Sequence, residues 1–231
     1  MKSVPNLLTL ILITLLVVCA FLIGMFWTKV QTLEKGVAVS GTPTLRPAPP
    51  VLSADKFNEV VKEAIFVGGD PNSKVKLVEF ADFQCPVCGN FFTNYLPTIE
   101  KEYIDTKKIG FYIRHFPLYS LHPDAENAAL AMECAREQDK FKALHDVLFQ
   151  NQQSLSTTDL KKYAAQLQMK TSQFNACLDS KKYKANIDRD VKLGESLGVT
   201  GTPNFFLNGR LIAGISTLAA FQVTLDEELK K

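Results

Sequence analysis

A strong charge of one sign is missing from this sequence. Its 26 basic and 24 acidic residues leave a net charge of +2 and lie interspersed along the chain, so nothing argues for nucleic acid as a partner. Cysteine is sparse. Five in 231 residues cannot build a disulfide scaffold, and a chain of this length buries a core without one. Histidine is sparser still: only His115, His122 and His145 are present, none at metal-ligand spacing. A second Cys-x-x-Cys is absent, and Cys134 and Cys177 lie too far from Cys85 and Cys88 for a compact zinc ribbon. No metal or cofactor is therefore expected. The length suits one domain, or one with an insertion and an accessory segment.

What is present centres on Phe80 to Phe92, with Cys85-Pro86-Val87-Cys88 in its middle. An apolar, strand-like run leads into the pair and a helix-compatible segment follows. Cys85 thus falls at a helix start, where unpaired backbone N–H groups and the helix dipole favour an anion. Such placement lowers a cysteine pKa from about 8.5 into the range of roughly 3.5–7.5. Cys88 projects from the same helix face and can close a short, reactive disulfide. Pro86 at the first helical position sets φ and loses no needed donor. Cys85 and Cys88 are the candidate redox pair.

From Leu7 to Trp27 the chain has no charged residue and is dominated by Leu, Ile and Val. That run is long enough to cross a bilayer, and no cleavage site follows Gly24. Residues 1–29 are expected to be an uncleaved single-pass anchor with Cys19 as an ordinary apolar residue. Lys2 on one side against Lys29 and Lys35 on the other slightly opposes an N-inside orientation, although long domains translocate largely regardless of loop charge. Residues 30–50, with Pro43, Pro47, Pro49 and Pro50, read as an extended tether.

Beyond the tether, Ser53 caps a helix reaching Ala64, and Gly68 to Asn72 is a turn cluster. Lys74 to Ala81 predicts a strand buried on both faces. A helix from Pro86 to Tyr103, bent at Pro97, and a strand from Ile109 to Phe116 complete a parallel βαβ unit. Between Pro123 and Gly198 the apolar spacing is helical throughout, giving four or five short helices, one capped by Ser156. His145 is expected to be exposed on one of them, and His115 and His122 to be structural or surface residues. Cys134 and Cys177 each fall in an apolar helical stripe and are expected to pair. A stable disulfide needs an oxidising compartment, which places the domain outside the cytoplasm. After Gly198 come a strand from Pro203 to Leu207, an Asn208-Gly209 hairpin turn, a return strand from Leu211 to Ala213, and a helix capped by Ser216 or Thr217.

These pieces resemble the DsbA-like branch of the thioredoxin superfamily, the disulfide oxidoreductases of the bacterial cell envelope. The match rests on Glu79-Phe80 before Cys85-Pro86-Val87-Cys88, the interposed helices, and Val199 to Pro203 before the hairpin, and covers Val51 to the C-terminus. It implies an α/β thioredoxin-like fold split into residues 51–122 and 199–231 around a helical subdomain at 123–198. It also implies a cis Pro203 that, with Thr202, Pro86 and Val87, meets substrate peptide. Glu79 would be a buried acid exchanging a proton with Cys88. The implied activity is oxidation of thiols in exported proteins, with a membrane redox partner resetting the Cys85–Cys88 pair. Val87 stands where the best-known member has a thiolate-stabilising histidine, and Thr202 also occurs in reductase and isomerase branches. A disulfide reductase or isomerase of the same fold, or a membrane-tethered redox sensor that reacts once, are the alternatives.

Overall fold

The computed structural model describes residues 15–25, 27, 29 and 51–231. The chain divides into two units, Met1–Ala48 and Pro49–Lys231. In the first, the described residues are helical and exposed. Among the described residues no helix is long and apolar enough to cross a membrane. The expected anchor runs partly, and the tether at 30–50 wholly, outside the described residues.

The second unit is built on a five-stranded sheet of order β1-β3-β2-β4-β5. Helix α1 (Ala54–Lys62) opens it, its first turn capped by the Ser53 side chain accepting from Lys56 N. Strand β1 (Ile65–Gly69) follows. The sequence shows only a glycine turn there, because Gly68 and Gly69 mask a strand whose register slips between Phe66 and Gly68. Strands β2 (Lys76–Ala81) and β3 (Gly110–His115) pair in parallel, and β1 joins β3 antiparallel. Between β2 and β3 the chain is helical over residues 86–104 (α2). Two π-helical turns, Phe91–Tyr95 and Glu100–Ile104, interrupt it. The first ends next to Pro97, so the interior proline falls where helical bonding is already irregular.

Helices α3 (Ala125–Arg136), α4 (Phe141–Gln150), α5 (Thr157–Gln166), α6 (Thr171–Asp179) and α7 (Lys184–Ser196) form the insertion. The chain then returns as the hairpin β4 (Asn204–Leu207) and β5 (Arg210–Ala213), turned by Asn208 and Gly209, both at positive φ. Helix α8 (Leu218–Leu229), capped by Thr217, closes the fold.

Strand alternation sorts the core. Leu77, Ala81, Phe111, Ile113, Phe205 and Leu207 face one cluster, shared with the Cys-x-x-Cys segment and the inserted helices. Val78, Phe80, Tyr112 and Phe206 face another, closed by Phe57 and Val60 of α1. Glu79 has the same parity as Leu77 and Ala81, so the pleat turns it toward the cysteines.

Two devices fix the insertion to the sheet and to itself. Arg114 of β3, 2% exposed, forms an ion pair with Asp190 of α7 and donates to the carbonyls of Val60 and Glu59. The other Asp190 oxygen accepts from His115 N at 3.0 Å. Within the insertion, Cys134 of α3 and Cys177 of α6 are joined by a disulfide with Cα atoms 5.9 Å apart. His145 is 1% exposed rather than open to solvent. Its charged sequence neighbours disguised an aromatic niche formed by Phe83, Phe92, Phe141 and Phe149.

Asp190→Ala leaves Arg114 buried without its counter-charge and should cost about 3–5 kcal/mol in urea unfolding. Replacing both partners with apolar residues of similar volume should cost far less.

Candidate active site

Strand β2 delivers the chain into a tight turn before α2. Asp82, 1% exposed, organises it: Oδ1 accepts from Gln84 N at 2.8 Å, and the Asp82 carbonyl accepts from Cys85 N at 3.1 Å. Its Oδ2 accepts from Leu118 N at 2.9 Å and lies 2.7 Å from His122 Nδ1. The loop after β3 is thereby tied to the loop before the cysteines. Asp124 N donates to Gln84 Oε1 at 2.7 Å and adds a second tie.

Cys85 takes the N-cap position of α2 with extended backbone (φ −70°, ψ 122°), and Pro86 enters the first turn. Both cysteines are free thiols, so this is the reduced state. Cys85 is 5% exposed beneath the exposed Pro86 and Val87, whereas Cys88 is 0% exposed. Of this pair, Cys85 presents the sulfur nearer the surface. Its Sγ lies 3.4 Å from the Thr202 carbonyl. The Thr202–Pro203 peptide is cis, and Pro203 is buried.

Electrostatics separate the two thiols. The Cys85 pKa falls to about 5, chiefly because the Cys88 thiol donates to its sulfur. Burial opposes this, while the Thr202 hydroxyl and the backbone N–H groups of Cys88 and Val87 reinforce it. Thr202 Oγ1 is otherwise without a partner among the described residues, leaving it free to donate to a thiolate. Cys88 is pushed well above its ordinary value, first by burial and then by hydrogen bonding to Cys85 and the Glu79 charge. Glu79, 2% exposed, is raised to about 8 by burial and by the Cys85 charge. Its Oε1 has no hydrogen-bond partner among the described residues.

The structure thus gathers Glu79, Cys85, Cys88, Thr202 and Pro203 around one sulfur pair, with Pro86 and Val87 on the rim. Cys134 and Cys177 lie apart, on α3 and α6. Among the described residues no group of His, Cys, Asp and Glu could hold a metal ion. Sequence reasoning passed over Asp82, although it stands in the central stretch, and Gln152. It also gave His122 no part in holding the site. Nothing in their local pattern points inward. Only the return of distant chain segments gives them a role. His115, at the end of β3, is fully buried, with its ring 6.0 Å from that of Phe83 and Nε2 3.3 Å from Glu133 Oε1 without hydrogen-bond alignment.

Comparison with known proteins agrees with this geometry. A family model described as Thioredoxin matches residues 62–227. The probable disulfide bond formation protein D of Bacillus cereus is 32% identical over 172 residues, covering 71% of this chain and 78% of that protein. The crystal structure of alpha-DsbA1 from Wolbachia pipientis superimposes with a TM-score of 0.66 at 28% identity, covering 75% of this chain and 96% of that one. A Na(+)/H(+) antiporter of Salinispora tropica, NhaA 3, is 37% identical over 144 residues, 62% of this chain. The chain spans only 22% of that antiporter's length. Fold, cysteine geometry and these likenesses agree: the chain belongs to the thioredoxin family, among its DsbA-like thiol:disulfide oxidoreductases.

Proposed function

We propose that this protein is a thiol:disulfide oxidase that introduces disulfides into exported proteins through Cys85 and Cys88. The single observation carrying the reading is the split between an acidic Cys85 at the helix start, just beneath the surface, and a fully buried Cys88 whose proton is held tightly. In the oxidised enzyme a substrate thiolate attacks Cys85 Sγ. The Cys85–Cys88 bond breaks, and a mixed disulfide forms through Cys85. The electron pair leaves on Cys88, which takes a proton from protonated Glu79. A second substrate thiolate then attacks the substrate sulfur and expels the Cys85 thiolate, a good leaving group at this acidity. Substrate is oxidised, and the enzyme holds the two electrons. Thr202 and Pro203, together with Pro86 and Val87, form the rim against which the substrate peptide lies.

The charge-free run from Leu7 to Trp27 supports a single-pass anchor, with 30–50 as tether. The buried Cys134–Cys177 bridge supports an extracytoplasmic catalytic domain. A membrane redox partner returns the Cys85–Cys88 pair to the disulfide.

Cys88→Ser should accumulate a mixed disulfide with substrate through Cys85, located by peptide mass spectrometry, and Cys85→Ser should abolish turnover. Accumulation through residue 88 in the latter variant would reverse the roles.

Direction is decided by the relative stability of the two redox forms. The folded Cys85 pKa, about 5, lies below the ordinary thiol value of 9.0. The thiolate therefore stabilises the reduced fold fully above the unfolded pKa, and that contribution is lost as pH falls through about 5. At neutral pH it is worth at most about 3 kcal/mol. The reduced chain should melt above the oxidised one at neutral pH, with the gap closing toward pH 5. An oxidised form that melts clearly higher would make the protein a reductase.

Glu79 runs the opposite way. Its folded pKa of about 8 exceeds the ordinary 4.5, so the folded state holds the extra proton and loses stability as pH rises between those values. In reduced Glu79→Gln that loss should vanish, a difference from wild type of up to ~1.4 kcal/mol per pH unit in this window. The rate at which Cys88 is released from the disulfide should fall at the same time.

A further inference from the structure

The insertion makes a direct polar connection to the redox loop that the chemistry above does not use. Helix α4 docks by Phe149, whose ring stacks on Phe92 (centroids 5.2 Å apart, planes at 20°) and packs on Phe83 at 5.1 Å. Phe83 and Phe92 flank the cysteines in sequence, so this contact brings the end of α4 over the start of α2. The turn that follows is itself fixed. Asn151 Nδ2 donates to Val147 O, Ser154 N donates to Asn151 O, and Tyr163 OH donates to Ser154 O at 3.0 Å. From this turn Gln152 reaches the active-site loop. Its Nε2 donates to the Phe83 carbonyl at 3.0 Å and to the Cys85 carbonyl at 2.8 Å. With two acceptors facing it, only the NH2 end of the amide can point there.

We propose that Gln152 is a positioning residue for thiol–disulfide exchange, acting through the Phe83 and Cys85 carbonyls to hold the start of α2 in the orientation that stabilises the Cys85 thiolate. The Cys85 carbonyl also accepts from Gly89 N at 3.0 Å, so it carries both the first bond of the helix and the tether to the insertion. Fixing that carbonyl fixes the plane of the Cys85–Pro86 peptide. Pro86 has no N–H to offer, and the backbone donors aimed at the Cys85 sulfur are those of Val87 and Cys88. Their aim depends on the peptide plane just before them. The inserted subdomain thereby sets the reactivity of the Cys85 sulfur through the backbone of the same residue.

Gly89 supplies an independent handle. A Cβ at this position would lie 2.1 Å from Gln152 Oε1, and its three nearest neighbours all belong to the Gln152 amide. Gly89→Ala therefore displaces Gln152 without altering it. Gln152→Met, by contrast, keeps the side chain's bulk and removes both donors.

The inference rests on the oxidase reading, and one experiment separates the two. In the full chain, the pH dependence of iodoacetamide alkylation at Cys85, located by mass spectrometry, is measured beside the thiol–disulfide equilibrium with glutathione. Gln152→Met and Gly89→Ala should each raise the Cys85 midpoint by about one pH unit. Each should also shift the equilibrium about tenfold toward the oxidised enzyme, or ~30 mV. Gly89→Ala added to Gln152→Ala should move neither quantity beyond the effect of Gln152→Ala alone, because the two act through one contact. Wild-type values of both quantities in Gly89→Ala and in folded Gln152→Met, with only the melting temperature lowered, would overturn the inference and leave Gln152 a packing residue. A wild-type Cys85 of ordinary acidity without oxidase turnover would overturn both readings.

Discussion

The structure depends on one local constraint, the unpaired backbone N–H groups at the start of the helix that follows β2. A helix must begin somewhere with free donors, and here Cys85 occupies the N-cap while making no ordinary side-chain cap bond. Its sulfur takes the place of the usual capping oxygen. Everything nearby serves that exchange. Strand β2 is buried and leads directly into the turn, Asp82 closes the turn, and Thr202 completes the polar surroundings of the sulfur. Beneath it, Cys88 and Glu79 share an apolar environment that penalises charge on either, so that a proton there has two poor places to leave from.

The insertion is more than an addition to one edge of the sheet. It closes the apolar face on which the cysteines lie, and it is anchored at both ends. Near its start, Asp124 and Gln84 are bonded, while at its far end Asp190 takes the guanidinium of Arg114. In the middle, the Phe83, Phe92 and Phe149 rings join α4 to the two sides of the redox turn. Aromatic packing of this kind stabilises through area and edge geometry. In this position it also keeps the turn from relaxing.

Much of this was legible in the sequence because it rests on local chemistry. Ser53, Ser156 and Asn208-Gly209 mark their caps and turn wherever they occur, and the apolar run of β2 needs no partner to be recognised. The mixed α/β architecture followed from those signals. Where reading failed, the determining contact was distant. Strand β1 is a strand because β3 offers it an edge, and its glycines argue against that locally. His145 is buried because Phe83 and Phe92 of the redox segment close over the face it shares with Phe141 and Phe149 of its own helix, despite Lys142 and Asp146 beside it. Asp82, His122 and Gln152 acquire meaning only when loops separated by dozens of residues meet.

The Cys134–Cys177 bridge has one further consequence. Its sulfur-bearing residues are 1% and 5% exposed, inside a cluster of packed helices. Cys88 and Cys85 are 0% and 5% exposed, so burial alone does not set this bond apart from the redox pair. Both of its sulfurs stand in the last turn of their helices, where the dipole disfavours a thiolate. Helix polarity thus divides four cysteines of one chain into two populations: one placed where a thiolate is a good leaving group, and one placed where it is a poor one.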